Sequence, residues 1–365
     1  MLNKGITEEE LFSFFSCKKR EDLDHNYILS SMCTLPHDVA VRAHCMFMET
    51  NLGDPGLFPG TASLERLLIE RFGTLFHLPT AGGYATSGGT ESNIQALRLA
   101  KVEKKAAAPN VVLPESAHFS FKKACDILDL EMRSVPLGAD LRMCPDLAAE
   151  QVDKNTVCLV GVAGTTEYGM VDPIADLSKI AVQHDVFLHV DAAFGGMVVP
   201  FLDRPIPFDF ALPGVTTIAV DPHKMGMSTI PAGCLLTRDP EMLDALNIAT
   251  PYLTVKHEYT LAGTRPGAPV AGALAVLDYL GMDGMKAVVA GCMKNTQRLI
   301  AGMETFGFPR AATPDVNVAT FVAKTVPEPW KVSWTRNGHL RIVCMPHVHR
   351  DRIEAFLADI GEMHA

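Results

Sequence analysis

Phe187-Leu-His-Val-Asp-Ala-Ala-Phe-Gly-Gly196 and Thr217-Ile-Ala-Val-Asp-Pro-His-Lys224 decide the fold. Each is a short apolar run that stops at charged residues. Residues 187–190 and 217–220 have the pattern of strands buried on both faces, as in a parallel sheet covered by helices. In such sheets ligands bind beyond the carboxyl ends of the strands, which is where Asp191 and Lys224 fall.

Upstream lies Tyr84-Ala-Thr-Ser-Gly-Gly-Thr-Glu-Ser-Asn93, followed by a helical run to Lys105. A glycine turn feeding a helix N-terminus offers unpaired N–H groups and partial positive charge to an anion. The turn is neither G-x-x-x-x-G-K-[ST] nor G-x-G-x-x-G, so a single phosphate fits better than a nucleotide polyphosphate. From 110 to 190 strand and helix patterns alternate: 111–113, 119–128, 157–162, 174–183 and 187–190. This predicts an α/β fold with a mostly parallel, doubly wound sheet. Two loops add candidates. The imidazole of Glu115-Ser-Ala-His118 can stack on an aromatic ring, and Gly164-Thr-Thr-Glu-Tyr-Gly169 follows a strand end.

An acid at Asp191, an amine at Lys224, a phosphate turn and a stacking imidazole are together what pyridoxal 5'-phosphate requires. The lysine bonds the aldehyde, and the acid keeps the pyridine nitrogen protonated. Singly, each has a plain structural reading: Asp191 as a turn cap, Lys224 as a solvated lysine, His118 as a helix cap. Their convergence on the strand ends of one sheet argues against those readings.

At 365 residues the chain has room for a large domain and a smaller one. The expected division is an N-terminal helical or extended segment over 1–50, a large cofactor domain over 51–270, and a linking helix with a small α+β domain over 271–365. The net charge of -10 argues against a nucleic-acid partner. No apolar run reaches membrane-spanning length. Leu11-Phe-Ser-Phe-Phe15 follows three glutamates, the wrong charge order for a signal peptide, and reads as one face of a first helix. Nine cysteines without a C-x-x-C pair suit free thiols in a reducing cytoplasm. His37 and His44, without a third ligand, read as ordinary helix residues, so no metal is expected.

The Gly/Pro-rich stretch 51–61 is predicted as a loop, with Thr61 or Ser63 capping a helix to Phe76. Residues 251–267 form a long irregular loop of the kind that carries function. A helix over 270–306, strands over 316–323 and 340–345, and a helix over 349–363 complete the chain. The apolar loops 51–61 and 261–267 suit solvent poorly. They predict a homodimer with active sites at the subunit boundary and Arg265 as a side chain able to reach across it.

These motifs carry a resemblance. The chain resembles the group II pyridoxal-phosphate-dependent decarboxylases of fold type I, and is most similar to the archaeal L-tyrosine/L-aspartate decarboxylases. The resemblance covers Ser30-Ser-Met-Cys33, Asn51-Leu-Gly-Asp-Pro-Gly-Leu-Phe58, Ser87-Gly-Gly-Thr-Glu91, Ala117-His-Phe-Ser-Phe121, His189-Val-Asp-Ala-Ala-Phe-Gly-Gly196, Asp221-Pro-His-Lys-Met-Gly226, Pro251-Tyr-Leu-Thr254, Gly263-Thr-Arg265 and Leu340-Arg-Ile-Val343. It implies the fold type I architecture and decarboxylation of an L-amino acid through an external aldimine and a quinonoid.

The resemblance also implies roles. Lys224 bonds the cofactor, Asp191 pairs with the ring nitrogen and His118 stacks on the ring. Gly89, Thr90 and His223 hold the phosphate, Ala193 packs on the ring and Thr166 lies at its polar edge, with Gly263 and Thr264 as further cofactor contacts. Tyr252, with Tyr259 second, is the expected proton donor. Arg341 suits a carboxylate clamp because a guanidinium matches a carboxylate bidentately. Tyr27, Ser31 and Cys33 are expected in the substrate wall. Lys224 must lose its proton to react, and desolvation beside cationic groups is expected to lower its pKa. The alternatives are another fold type I reaction (a desulfurase or a retro-aldol lyase) or a non-catalytic binder. The 251–267 loop holds no cysteine for desulfuration.

Overall fold

The computed structural model describes residues 4–364. Its centre is a seven-stranded sheet built from β1 (Gly82–Thr86), β2 (Asn110–Pro114), β3 (Glu131–Val135), β4 (Thr156–Val162), β5 (Phe187–Asp191), β6 (Val215–Val220) and β7 (Gly233–Thr237). The spatial order is β1-β7-β6-β5-β4-β2-β3, and only the pairings of β7 with β1 and β6 are antiparallel. β2, β4, β5 and β7 are buried along their whole length, which explains their continuous apolar runs. The edge strand β3 is largely exposed and carries Glu131 and Arg133, charges that discourage edge pairing.

The crossovers place the ends of β1, β2, β4, β5 and β6 on one side of the sheet. The Gly89–Lys104 helix follows β1, and Ser120–Leu128 follows β2. Gly233, at the start of antiparallel β7, lies so close to Gly88 that a Cβ on it would stand 2.5 Å from the Gly88 Cα. Every loop named above as functional therefore borders this side, apart from those after residue 250.

The Pro59–Leu75 helix is capped by neither Thr61 nor Ser63. Phe58 occupies the cap and Pro59 the first turn, where its missing N–H has no partner to lose. Ala268–Thr305 runs as 38 residues but is interrupted at Gly281, whose φ of +59° breaks what the sequence reads as one continuous helix. Beyond it, β10 (Val318–Phe321), β11 (Ser333–Trp334) and β12 (Leu340–Val343) form a small sheet in the order β10-β12-β11, and Arg350–His364 closes the chain. Two short strands, β8 (Ile248–Ala249) and β9 (His257–Glu258), pair at the base of the 250–256 loop. Among the described residues, no helix is long and apolar enough to cross a membrane.

Candidate active site

A cleft of about 260 Å³ opens at the strand ends. Gly89, Thr90, His118, Thr166, Asp191, Ala193, His223 and Lys224, eight of the expected residues, line it together. Each arrives for a local reason. Asp191 is the last residue of β5, and Asp221 to Lys224 form the turn that leaves β6. The Gly89–Lys104 helix begins at Gly88, which has φ +144° and no side-chain cap. The first bond along that helix is Ser92 N–H to Gly88 O, so the N–H groups of Gly89, Thr90 and Glu91 are open, while those of Ser87 and Gly88 donate to Glu91 Oε2 and Thr86 Oγ1.

The turn demands glycine twice. A Cβ on Gly88 would stand 3.0 Å from His223 Cε1, and one on Gly89 would stand 3.0 Å from Ala193 Cβ and 3.2 Å from Asp221 Oδ2. The cradle keeps its room only without side chains. This fits the phosphate of pyridoxal 5'-phosphate held by helix-end N–H groups.

Asp191 is fixed by a buried chain of hydrogen bonds. Ala193 N–H donates to its Oδ1 at 3.1 Å, and Asn93 Nδ2 donates to its Oδ2 at 2.9 Å. The Asn93 amide oxygen faces His189 Nε2 at 2.9 Å, and His189 Nδ1 faces Thr217 Oγ1 at 2.8 Å. With Asn93 donating to the carboxylate, its oxygen must accept, so the His189 proton sits on Nε2 and Nδ1 accepts from Thr217. Burial pushes His189 down to about 4 and keeps it neutral. Asn93 also donates to Ser120 Oγ at 3.0 Å, which lies 3.0 Å from His118 Nδ1. Ser120 N–H donates to that same nitrogen at 3.3 Å, leaving the neutral His118 its proton on Nε2. Burial lowers the His118 pKa as well, against the pull of Asp191.

Lys224 departs from expectation. Burial pulls its ammonium down, but Asp221 Oδ2 at 3.1 Å, together with Asp191, outweighs that and holds its pKa above the usual lysine value. Sequence reasoning missed Asp221 and Asn93 as site residues. The signals were present: Asp221 is the first residue beyond β6, and Asn93 lies one helical turn past Gly89 on the same face.

Other expected residues are not brought into this cleft. Tyr252 is 85% exposed on the 250–256 loop. Gly263 is exposed, and Thr264 borders a separate cavity of about 110 Å³ behind the Ser87 turn. The Ser31 hydroxyl is turned onto its own segment, donating to Cys33 O at 2.9 Å. Tyr27 packs on Trp330, 5.4 Å between rings. Tyr259 is held against Tyr84 at 5.7 Å. Arg265 does not reach outward: it is buried against Glu65 at 2.5 Å, Ala85 O at 3.0 Å and Leu52 O at 3.1 Å of its own chain.

Arg341 does not line the cleft either. It is 8% exposed, donates to Ser333 Oγ at 2.7 Å and Ser30 O at 3.3 Å, and its buried Nε has no partner among the described residues. Burial pulls its guanidinium down to about 10. It pairs in register with Thr320, which donates to the carbonyl of Glu167, next to cleft residue Thr166. Arg341 thus stands behind the rim of the cleft, a buried cation in no ion pair among the described residues, with Glu167, itself paired to Arg336, as a more distant counter-charge.

Comparisons with known proteins place the chain in a family. Residues 44–308 match the model of the pyridoxal-dependent decarboxylase conserved domain. A Methanoregula boonei protein named "Probable L-tyrosine/L-aspartate decarboxylase" is 80% identical over 100% of both chains. A Methanosarcina acetivorans protein of the same name is 46% identical, covering 100% of this chain and 99% of its own. Among solved structures, the sphingosine-1-phosphate lyase of Burkholderia pseudomallei superposes with a TM-score of 0.91 at 26% identity, over 100% of this chain and 92% of its own. The glutamate decarboxylase of Lactobacillus brevis reaches 0.91 at 21% identity, over 99% and 93%, and bears on the fold alone. A cleft fitted to the cofactor and a family match over most of the chain lead to one conclusion: the chain belongs to the pyridoxal-dependent decarboxylases, fold type I carboxy-lyases that work with pyridoxal 5'-phosphate.

Proposed function

We propose that this decarboxylase acts on L-tyrosine, L-aspartate or both, releasing CO₂ and leaving tyramine or β-alanine. The observation that carries the reading is Arg341, a guanidinium buried behind the cleft rim in no direct ion pair among the described residues and with its Nε unpartnered. An unpaired buried cation is costly, and a substrate carboxylate is the anion that would complete it. The names of relatives 46–80% identical over the full length support the substrate pair.

When bound, pyridoxal phosphate supplies an electron sink for the pair left behind by departing CO₂. The chain's own residues do the rest. Lys224 would bond the cofactor, Asp191 would keep its ring nitrogen protonated, and His118 would stack on the ring. The open N–H groups after Gly88, with Thr90 and His223, take the phosphate. Ala193 and Thr166, which also line the cleft, would complete the enclosure of the cofactor.

The active unit in this reading is a homodimer. The Glu8–Lys19 helix buries none of its residues and exposes Phe12, Phe14 and Phe15, an apolar face that a second copy would cover. Tyr252, Gly263 and Thr264, all outside their own chain's cleft, are then contacts for the partner's site.

The test is CO₂ release assayed across the proteinogenic amino acids with identification of the amine, alongside Arg341→Met. The proposal expects release from tyrosine or aspartate, and a KM in the variant raised about tenfold or more, the loss of one charge-assisted pair. Release confined to other amino acids, or an unchanged KM, overturns it.

A further inference from the structure

Asp221 is the charged group of the cleft that the scheme above leaves without a task. It is 2% exposed. Oδ2 lies 3.1 Å from Lys224 Nζ and 3.8 Å from His223 Nε2. Oδ1 is buried with no hydrogen-bond partner among the described residues. The carboxylate faces the glycine turn: Cβ positions on Gly89 and Gly88 would fall 3.2 and 4.0 Å from Oδ2. Lys224 is not among the nearest atoms to either glycine. The order from the turn inward is therefore turn, Asp221, Lys224.

That order places a carboxylate beside the spot that fits a phosphate. Two anions side by side repel, and the repulsion is relieved if one takes a proton. The nearest proton is on Lys224. We propose that Asp221 is a latch that holds Lys224 protonated and unreactive until an anion at the Gly88–Thr90 turn shifts that proton onto the Asp221 carboxylate. A phosphate there drives one proton from Nζ to the Asp221 carboxylate. The positive charge moves toward the phosphate, the carboxyl gains an O–H for its unpartnered side, and Nζ keeps a lone pair free to add to a carbonyl carbon. One N–H bond breaks, one O–H bond forms, and the net charge is unchanged. The phosphate thus switches on the lysine that its own cofactor must meet.

The groups facing this pair are His223 from the same turn, Asp191 from β5, Cys33 from the segment after Ser30, His118 from the loop after β2, and Cys234 from β7. Of these, His223 is engaged by the backbone of Ala232, whose N–H lies 3.1 Å and whose O lies 2.5 Å from its Nδ1. Asp191 already accepts two hydrogen bonds. Only Asp221 combines an unpartnered oxygen with contact to Lys224.

The inference rests on Lys224 as the cofactor lysine. Borohydride reduction and peptide mapping test that separately: a label on another lysine ends the parent reading whatever the rates show. The experiment proper follows imine absorbance when the full-length protein, stripped of cofactor, meets pyridoxal, which lacks the phosphate, with and without inorganic phosphate across a pH series. In the wild type, inorganic phosphate should speed imine formation at neutral pH about tenfold or more, the equivalent of moving the lysine midpoint down by about one unit. In Asp221→Asn the reaction with pyridoxal alone should already be fast, and phosphate should change it less than about twofold. No acceleration in the wild type overturns the proposal without any variant. So does an acceleration that survives in Asp221→Asn with an unaltered thermal melt.

Discussion

Asn93 donates its side-chain amide to Asp191 at 2.9 Å while its oxygen meets the His189 ring at 2.9 Å, so one amide orients the acid beneath the cofactor site. Asn93→Leu keeps the volume and removes both bonds, along with the one that Asn93 donates to Ser120 Oγ. It strands the Asp191 carboxylate oxygen and the His189 N–H in the interior, at about 1–3 kcal/mol for each unsatisfied group. Urea denaturation should show that loss, and the cofactor's absorbance should titrate abnormally once Asp191 is free to turn. Wild-type values for both would mean that Asp191 is held by its backbone contact to Ala193 alone.

The same network gives a pH signature. His189 is pushed down to about 4 by burial, from an unfolded value near 6.5. The unfolded chain therefore takes up a proton first as pH falls, so this stability is present above 6.5 and drains away toward 4, by about 1.4 kcal/mol per unit at most. Asp172 runs the other way over nearly the same window, since burial raises its carboxyl to about 6. The test is thus a difference: wild-type minus His189→Gln stability should shrink as pH falls from 6.5 to 4. A difference that stays flat would show the imidazole to be charged or solvated in the folded state.

Arg265 ties the 51–58 loop, β1 and the 261–267 turn together through Leu52 O, Ala85 O and Glu65. Arg265→Ala leaves the Glu65 carboxylate half-buried without a counter-charge. Breaking a buried pair in this way costs about 3–5 kcal/mol. The loss should appear as a lowered denaturation midpoint of the chain that carries it, before any effect on a partner's site. An unchanged midpoint with lost activity would return Arg265 to the role across an interface.

That correction marks where the sequence stops being legible. Asp191, His223 and Lys224 were readable because strand ends project their side chains into one cleft, a rule that needs only the apolar run and its last residue. The Gly88–Gly89 turn was readable because a helix start after glycines is local. The Asn93–His189 bond joins residues 96 apart, and nothing in either neighbourhood announces the other. The Lys224 pKa was misjudged because a pKa follows the nearest charge, and the direction of the Asp221 side chain is a tertiary fact. β3 hides for another reason: an edge strand that carries the charges of Glu131 and Arg133 lacks the apolar run by which its neighbours are found.

In the proposed homodimer, Tyr252 is the residue that depends most on the second chain. Its loop is pinned at Thr254, which bonds Asp54 and accepts from Gly56 N–H, so the phenol projects outward in a set direction. It is 85% exposed and absent from the cleft of its own chain. After CO₂ leaves, a proton must reach the substrate α-carbon. Protonation on the cofactor side instead yields a carbonyl product and an aminated, inactive cofactor. A phenol brought over the cleft would deliver the proton to the correct carbon and exclude water. Tyr252→Phe removes only the hydroxyl, so substrate affinity should stay nearly intact while amine release slows, carbonyl product rises and added cofactor reverses the inactivation. If the phenol serves the partner's cleft, Lys224→Ala and Tyr252→Phe chains should complement each other. Random pairing at equal amounts makes half the dimers mixed, each with one complete site, so activity should recover to about a quarter of wild type. Recovery no greater than the sum of the separate variants would place the proton donor within the same chain, and a wild-type amine yield from Tyr252→Phe alone would remove Tyr252 from the reaction.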